Sequence, residues 1–113
     1  MVAAPLPDDE LQSRADLVVE ARVLSRDGHR ATINVKRVVK GSPRWQPGGW
    51  LHWLGLRRTV LVRYESQPIN PVLGDWWNED AFIPGNRVRA HLFWDDAAQC
   101  YAAVWWNGVD VLY

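Results

Sequence analysis

The sequence has a single cysteine, Cys100, and its 113 residues carry no net charge. One thiol forms no internal disulfide, so a disulfide-stapled fold is excluded. The 13 basic side chains are matched by 13 acidic ones, so the chain lacks the positive excess that attracts proteins to nucleic-acid phosphates or to anionic lipid surfaces. Apolar runs stay well below the length of a membrane span. Nucleic-acid binding and membrane insertion are therefore not expected.

Recognised catalytic and metal-binding motifs are also missing. The sequence has no Gly-x-Ser-x-Gly turn and no glycine-rich phosphate loop, which predicts a protein that is not an enzyme. Residues that could bind metals have no recognised ligand spacing, so we predict no metal site and no cofactor. We expect His91 on a solvated strand face, because it alternates with Val88 and Ala90. The residues considered as metal ligands are His52, His91, Asp95, Asp96 and Cys100.

Short alternating segments make up most of the chain. Three acids at positions 8–10, followed by Arg14, predict a short helix over residues 8–14. Apolar residues that recur with a period of two predict β-strands elsewhere. The predicted strands cover residues 17–23, 31–39, 50–54, 59–65, 87–95, 100–106 and 109–112.

Predicted turns separate several of these strands, and one strand contains an irregularity. Asp27-Gly28-His29 and Asn107-Gly108 predict hairpin turns, and Pro84-Gly85-Asn86 predicts a type II turn. In the strand predicted over residues 31–39, the alternation of apolar and polar residues breaks at Lys36-Arg37. Strict alternation would place Val38 on the face opposite to that of Val35. One extra residue at that point is typical of a β-bulge.

Six or seven short strands and one N-terminal helix predict a single all-β domain over residues 1–113. A bulged second strand can bend around a closed barrel, so we predict a small closed or partly open OB-like barrel of five to six strands. An immunoglobulin-like sandwich is the alternative, although its Cys…Trp…Cys arrangement is absent. Residues 66–86 have three prolines and no clear periodicity, so we expect a long functional loop there.

Two short motifs resemble a known group of domains. Residues 15–23 follow the pattern A-D-x-V-x-x-x-x-V, and residues 38–41 follow V-x-K-G. Residues 15–41 thereby resemble the opening strands of the tissue-inhibitor-of-metalloproteinase and netrin-like (TIMP/NTR) group of OB-fold domains. The resemblance implies the barrel and an exported or cell-envelope location. Protease inhibition does not carry over, because those inhibitors grip zinc with an N-terminal cysteine and no cysteine precedes Cys100 here.

The N-terminal sequence leaves two interpretations of this location. Met1-Val2-Ala3 lacks the charged and apolar regions of a signal peptide. It fits a native cytosolic start, or an added methionine on a mature domain whose signal has been removed. The family resemblance favours the second interpretation.

Eight tryptophans are the most prominent feature that is present. One small domain cannot easily bury eight indoles with every N–H bonded, so we expect some of them at the surface. Trp76-Trp77-Asn78 and Trp105-Trp106-Asn107 repeat one tripeptide. Neighbouring residues of a strand point to opposite faces, so one ring of the second pair faces outward. That ring either packs under residues 66–86 or forms an exposed aromatic shelf.

We predict a non-enzymatic accessory module that binds a protein partner through this tryptophan-rich surface, because aromatics and arginine are enriched at interface centres. A carbohydrate-binding module that uses the same tryptophans is the first alternative. A single-stranded nucleic-acid-binding OB domain is the second, based on Trp50, Trp53 and nearby arginines, although surface ion pairs account for arginines in a neutral chain. The candidate contact residues are Trp76, Trp77, Asn78, Trp106, Asn107, Trp50, Arg57 and Arg58.

Overall fold

The computed structural model of the chain describes residues 7–28, 30–46, 58–63, 79–104 and 108–112. β-Strands dominate it, and its only α-helix among these residues is the predicted one. The elements are α1 (Asp8–Arg14), β1 (Leu17–Asp27), β2 (Arg30–Lys40), β3 (Thr59–Arg63), a 3-10 helix (Glu79–Phe82), β4 (Arg87–Asp95), β5 (Cys100–Ala103) and β6 (Val109–Val111). None of the helices in the described ranges has the length and apolarity needed to cross a membrane.

Five of the strands close into a barrel. β1 pairs with β2, β2 with β3, and β3 with β5, the last pair being parallel. β5 then pairs with β4, and β4 pairs back to β1, which completes the ring. β6 pairs with Val88, Arg89 and Ala90 of β4, on the edge opposite β1 and next to β5. The predicted all-β, OB-like barrel is therefore confirmed.

The predicted alternation explains which side chains fill the barrel. Along β4, Val88, Ala90 and Leu92 are fully buried, whereas Arg87 is exposed. The same period of two places the apolar residues of the other strands inward. The interior consists of Leu17, Val19, Ala21, Val23, Ala31, Ile33, Val60, Val62, Ala81, Phe82, Val88, Ala90, Leu92, Tyr101, Ala103 and Val109.

The predicted bulge in β2 is confirmed. Glu20 of β1 pairs with Arg37, whereas the next residue, Ala21, pairs with Val35. Lys36 is consequently the extra residue on β2. A bulge bends its strand and increases the local twist, which helps β2 to continue around the barrel.

The last part of the segment expected as an aperiodic loop contains the 3-10 helix. Phe82, on the 3-10 helix, is 0% exposed and joins the core, a role that the lack of periodicity did not predict. The predicted turn follows, with Asn86 N–H donating to Ile83 O at 3.0 Å and Gly85 at φ 96°. Residues 64–78 lie outside the described ranges.

Two predicted strands end earlier in the structure, and two others lie partly or wholly outside the described residues. The predicted strand 59–65 is described as β3 up to Arg63, and the predicted strand 100–106 as β5 up to Ala103. The last strand ends at Val111 rather than at Leu112. The predicted strand 50–54 lies outside the described residues.

The two motifs that carry the family resemblance meet in space. Gly41 follows β2 with φ 89°, and a Cβ atom at this position would lie 2.1 Å from the carbonyl oxygen of Asp16. Only glycine permits both this backbone conformation and this approach. Asp16 N–H also donates to Leu92 O at 2.8 Å. The start of β1, the end of β2 and β4 therefore converge on Asp16.

The prediction that His91 faces solvent was wrong. His91 is only 4% exposed, because the chain around Gly108 covers this part of β4. The Nδ1 atom of His91 lies 2.8 Å from Gly108 O, and the backbone N–H of His91 donates to the same oxygen at 2.8 Å. Strand parity could not predict this contact, since Gly108 lies 17 residues further along the chain.

Candidate functional site

Most of the predicted contact residues lie outside the described ranges. These are Trp50, Arg57, Trp76, Trp77, Asn78, Trp106 and Asn107. Arg58 is described and its side chain is exposed. Its backbone N–H donates to Asn34 Oδ1 at 3.1 Å, and its carbonyl accepts the N–H of Val35 at 2.8 Å. The backbone of Arg58 therefore fastens the entry of β3 to β2.

Trp94, at the end of β4, is held on several sides by other side chains. The guanidinium of Arg44 lies over its ring, 4.2 Å from the ring centroid. Tyr101 of β5 packs against the ring edge to face, with centroids 5.1 Å apart and an interplanar angle of 79°. The indole Nε1–H donates to Asp96 Oδ1 at 2.7 Å. The orientation of the indole is therefore fixed within the domain.

The segment that follows β2 places Arg44 over this ring. The backbone N–H of Arg44 donates to the hydroxyl of Tyr101 at 3.0 Å. Two residues later, Gln46 N–H donates to Thr59 O at 2.8 Å. The segment therefore lies against β5 and β3, and its intervening residue, Trp45, packs half-buried against the core.

Asp95 organises the turn between β4 and β5. Its Oδ1 accepts the backbone N–H groups of Ala97 at 3.1 Å and Ala98 at 3.3 Å, while its Oδ2 accepts from Arg63 Nη2 at 3.0 Å. These contacts, the Ala98 N–H first and then the Arg63 charge, hold the pKa of Asp95 below its ordinary value. Gln99 closes the turn at φ 54°, with its side chain donating to a carbonyl within the turn at 2.7 Å.

These elements surround a half-open pocket of about 270 Å³, which we call the Trp94 pocket. Aromatic and apolar groups form much of its wall, and none of its described lining residues is acidic. The side chain of Cys100, which also lines the pocket, is 1% exposed. The lining residues are Arg44, Trp45, Gln46, Leu61, Trp94, Gln99 and Cys100.

The lining residues determine which contacts this pocket can offer. Within the described residues, no group of three or more His, Cys, Asp and Glu side chains could hold a metal ion. The pocket offers apolar area from two indoles and a leucine, together with polar donors from Arg44 and from two glutamine side chains. Such a mixture suits recognition of a side chain or a small amphipathic group.

The sequence did not predict this pocket as a unit. Trp94 stood apart from the repeated tripeptides, and Arg44 precedes it by fifty positions. One signal was present: Arg44-Trp45 lies between two strands and before Pro47-Gly48, a loop position where binding residues are common. Which strand ends lie beside that loop depends on the closure of the barrel.

Comparison with protein-family models, curated proteins and solved structures gave no match for this chain. The TIMP/NTR resemblance of residues 15–41 therefore stays a prediction.

Proposed function

We propose that this protein is a non-enzymatic interaction module, and that the Trp94 pocket receives one side chain of a protein partner. The observation that carries the proposal is the stacking of Arg44 on Trp94 beside Trp45 and Leu61. Tryptophan and arginine are the residue types most enriched among those that dominate the binding energy of interfaces. Here they border a pocket that is already formed in the free chain.

The size of the pocket suits a single side chain or a small chemical group. Pockets that enclose drug-sized ligands measure roughly 300 to 1,000 Å³, whereas the Trp94 pocket measures about 270 Å³ and is half open. That volume accommodates one large apolar or aromatic side chain. The rigid turn around Asp95 and the fixed indole also limit the ordering cost on binding, because little has to move.

Leu61 offers a way to test the pocket without emptying the core. It is partly exposed on β3, between the buried residues Val60 and Val62. A Leu61→Glu substitution places a charge in the pocket wall and leaves the inward-facing residues intact. Leu112→Glu is the matched control, because Leu112 is 38% exposed and does not line the pocket.

The experiment is selection of peptides from a displayed random library on the full chain, followed by titration of individual peptides. We expect enrichment of peptides with an aromatic or long apolar anchor. Their affinity should fall by about 30-fold or more in Leu61→Glu, as for a dominant interface residue, and should not change in Leu112→Glu. Circular dichroism confirms that both variants are folded.

Two results would replace this proposal. Peptides that bind the Leu61→Glu variant as well as the original chain would place the interaction elsewhere. If no peptide is enriched but soluble oligosaccharides bind in a Leu61-dependent way, the carbohydrate-binding alternative is supported instead. The exported or envelope location implied by the family resemblance belongs to the same proposal, and fractionation of cells that express the chain tests it.

A further inference from the structure

On the outer face of the barrel, two arginines lie directly opposite each other. Arg22 of β1 pairs with Arg87 of β4 in an antiparallel register. Directly opposed residues have their Cβ atoms about 5 Å apart, and like charges at such positions destabilise the sheet. Two residues earlier on β1, Glu20 pairs with Arg89, which is the favourable combination. The Arg22–Arg87 pair therefore departs from the charge pattern of its own surface.

The bulge in β2 adds a third positive charge at this place. Lys36 is the extra residue of the bulge, and bulges redirect side chains. Lys36, Arg22 and Arg87 together line an open cleft of about 380 Å³, which we call the basic cleft. The side chains of all three residues are exposed.

The neighbouring carboxylates do not neutralise these charges. Glu20 accepts from Arg37 Nε at 3.0 Å and from Arg89 Nη2 at 3.3 Å, so two other guanidiniums already share it. Asp110 of β6 lies across from Arg89 rather than from Arg87. Across the described part of the chain, none of the three cations of the basic cleft forms an ion pair.

We propose that the basic cleft binds a tetrahedral oxyanion, namely a phosphate or sulfate group. Such a group accepts several charge-assisted hydrogen bonds at once, and its oxygens match the fork of a guanidinium. Arg22 and Arg87 would approach it from neighbouring strands, while Lys36 adds a point charge from the bulge. The anion supplies the negative charge that would otherwise be missing from this position.

A compact anion fits better than an extended polyanion. Tracking a nucleic-acid backbone requires many neutralised phosphates and a broad positive surface, whereas the chain as a whole has no net charge. Three clustered cations provide a local site without such a surface. The basic cleft shares no lining residue with the Trp94 pocket, so the two proposals can fail independently.

The test is titration calorimetry of the full chain with inorganic phosphate and, separately, with sulfate, in chloride buffers of matched ionic strength. We expect saturable binding of one anion. Loss of one charged hydrogen-bond partner should weaken binding by about tenfold or more in Arg22→Gln and in Arg87→Gln. Arg30→Gln is the matched control, because it removes the same charge from an exposed position of β2 that does not line the cleft.

Thermal unfolding shows whether a variant has lost anion binding because it no longer folds. Without phosphate, Arg22→Gln should melt at or above the temperature of the original chain, because it relieves the repulsion with Arg87. Added phosphate should raise the melting temperature of the original chain and of Arg30→Gln, but not that of Arg22→Gln. The proposal is overturned if no saturable binding occurs, or if Arg30→Gln weakens binding as much as the cleft variants do.

Vesicles distinguish a free anion from a lipid headgroup. The probes are phosphatidylcholine vesicles with and without phosphatidic acid, whose headgroup is a phosphate monoester. Binding that requires both phosphatidic acid and Arg22 assigns the site to a headgroup, whereas binding of inorganic phosphate alone assigns it to a free anion. Both results support an oxyanion site. Vesicle binding that is independent of Arg22 and Arg87, with no phosphate binding, contradicts it.

Discussion

Replacing Gly41 with alanine tests whether the close approach of the end of β2 to Asp16, at the start of β1, holds the barrel closed. An added Cβ atom would lie 2.1 Å from Asp16 O and 3.3 Å from the Cα of Leu17. Gly41 also has φ 89°, a conformation that side chains other than glycine rarely adopt. The substitution therefore combines backbone strain with a collision against another strand.

The expected loss of stability follows from these two effects. A left-handed backbone costs alanine roughly 1–2 kcal/mol. To relieve the collision, the backbone at Asp16 must move by roughly an ångström, and overpacking of this kind costs about 1–3 kcal/mol. Asp16 resists the movement, because its N–H donates to Leu92 O at 2.8 Å and its Oδ2 accepts from the backbone N–H of Trp94 at 2.9 Å. We expect a total of about 2–5 kcal/mol, whose upper end reaches the losses that are exceptional for one substitution.

Gly28→Ala is the matched control. Gly28 has φ 62°, but no heavy atom lies within 4 Å of the position that its Cβ would occupy. It should lose only the backbone contribution of roughly 1–2 kcal/mol. Urea unfolding followed by circular dichroism measures both free energies. Equal losses in the two variants would refute the argument, because the contact with Asp16 would then contribute nothing.

Two further predictions concern acid stability and the 3-10 helix. Hydrogen bonds and charge from Arg37 and a second arginine lower the pKa of Glu20 from 4.5, so its stabilisation is complete above that pH and is lost as the pH falls through the lower, folded-state value. The stability difference between the original chain and Glu20→Gln, measured by urea unfolding from neutral pH downward, should shrink below pH 4.5. Glu10→Gln is the control: Glu10 pairs with Arg14 on the surface of its own helix, and such surface pairs contribute little, so this variant should differ little from the original chain at any pH. Parallel acid profiles for Glu20→Gln and the original chain would contradict this assignment. Phe82→Ala should lower the free energy of unfolding by about 3–5 kcal/mol because it empties a core position. Ile83→Ala is the control: this side chain is 48% exposed, so its loss should change the free energy of unfolding by no more than about 0.5 kcal/mol. Similar losses in the two variants would show that Phe82 does not anchor the core.

The sequence predicted the elements whose signals are local. The helix over residues 8–14 and the strand over residues 87–95 have the predicted bounds, because charge placement and alternation act within one element. The bulge at Lys36 was also predictable, since a change of parity within β2 is visible along the chain. The closed barrel followed from the number, length and bending of the strands.

Features that depend on distant segments were not predictable. Phe82 is a core residue because its short helix meets the barrel, and His91 is buried because the chain around Gly108 covers it. The Trp94 pocket needs the loop after β2 to cross the ends of β4 and β5. Hydrophobic periodicity reports which face of a strand is apolar, but it does not report which loop covers that face.

The contacts of Asp16 explain why the two TIMP/NTR-like motifs, residues 15–23 and 38–41, indicate a fold more directly than they indicate a ligand. Its backbone joins β4 and is touched by Gly41, and its carboxylate accepts the N–H of Trp94. The motif residues therefore close the barrel and fix the end of β4, which any protein with this strand arrangement needs. The side chains that line the Trp94 pocket, such as Arg44 and Leu61, lie outside the motifs. Binding specificity can thus change while the motifs stay the same, so the function has to be tested at the pocket rather than inferred from the fold.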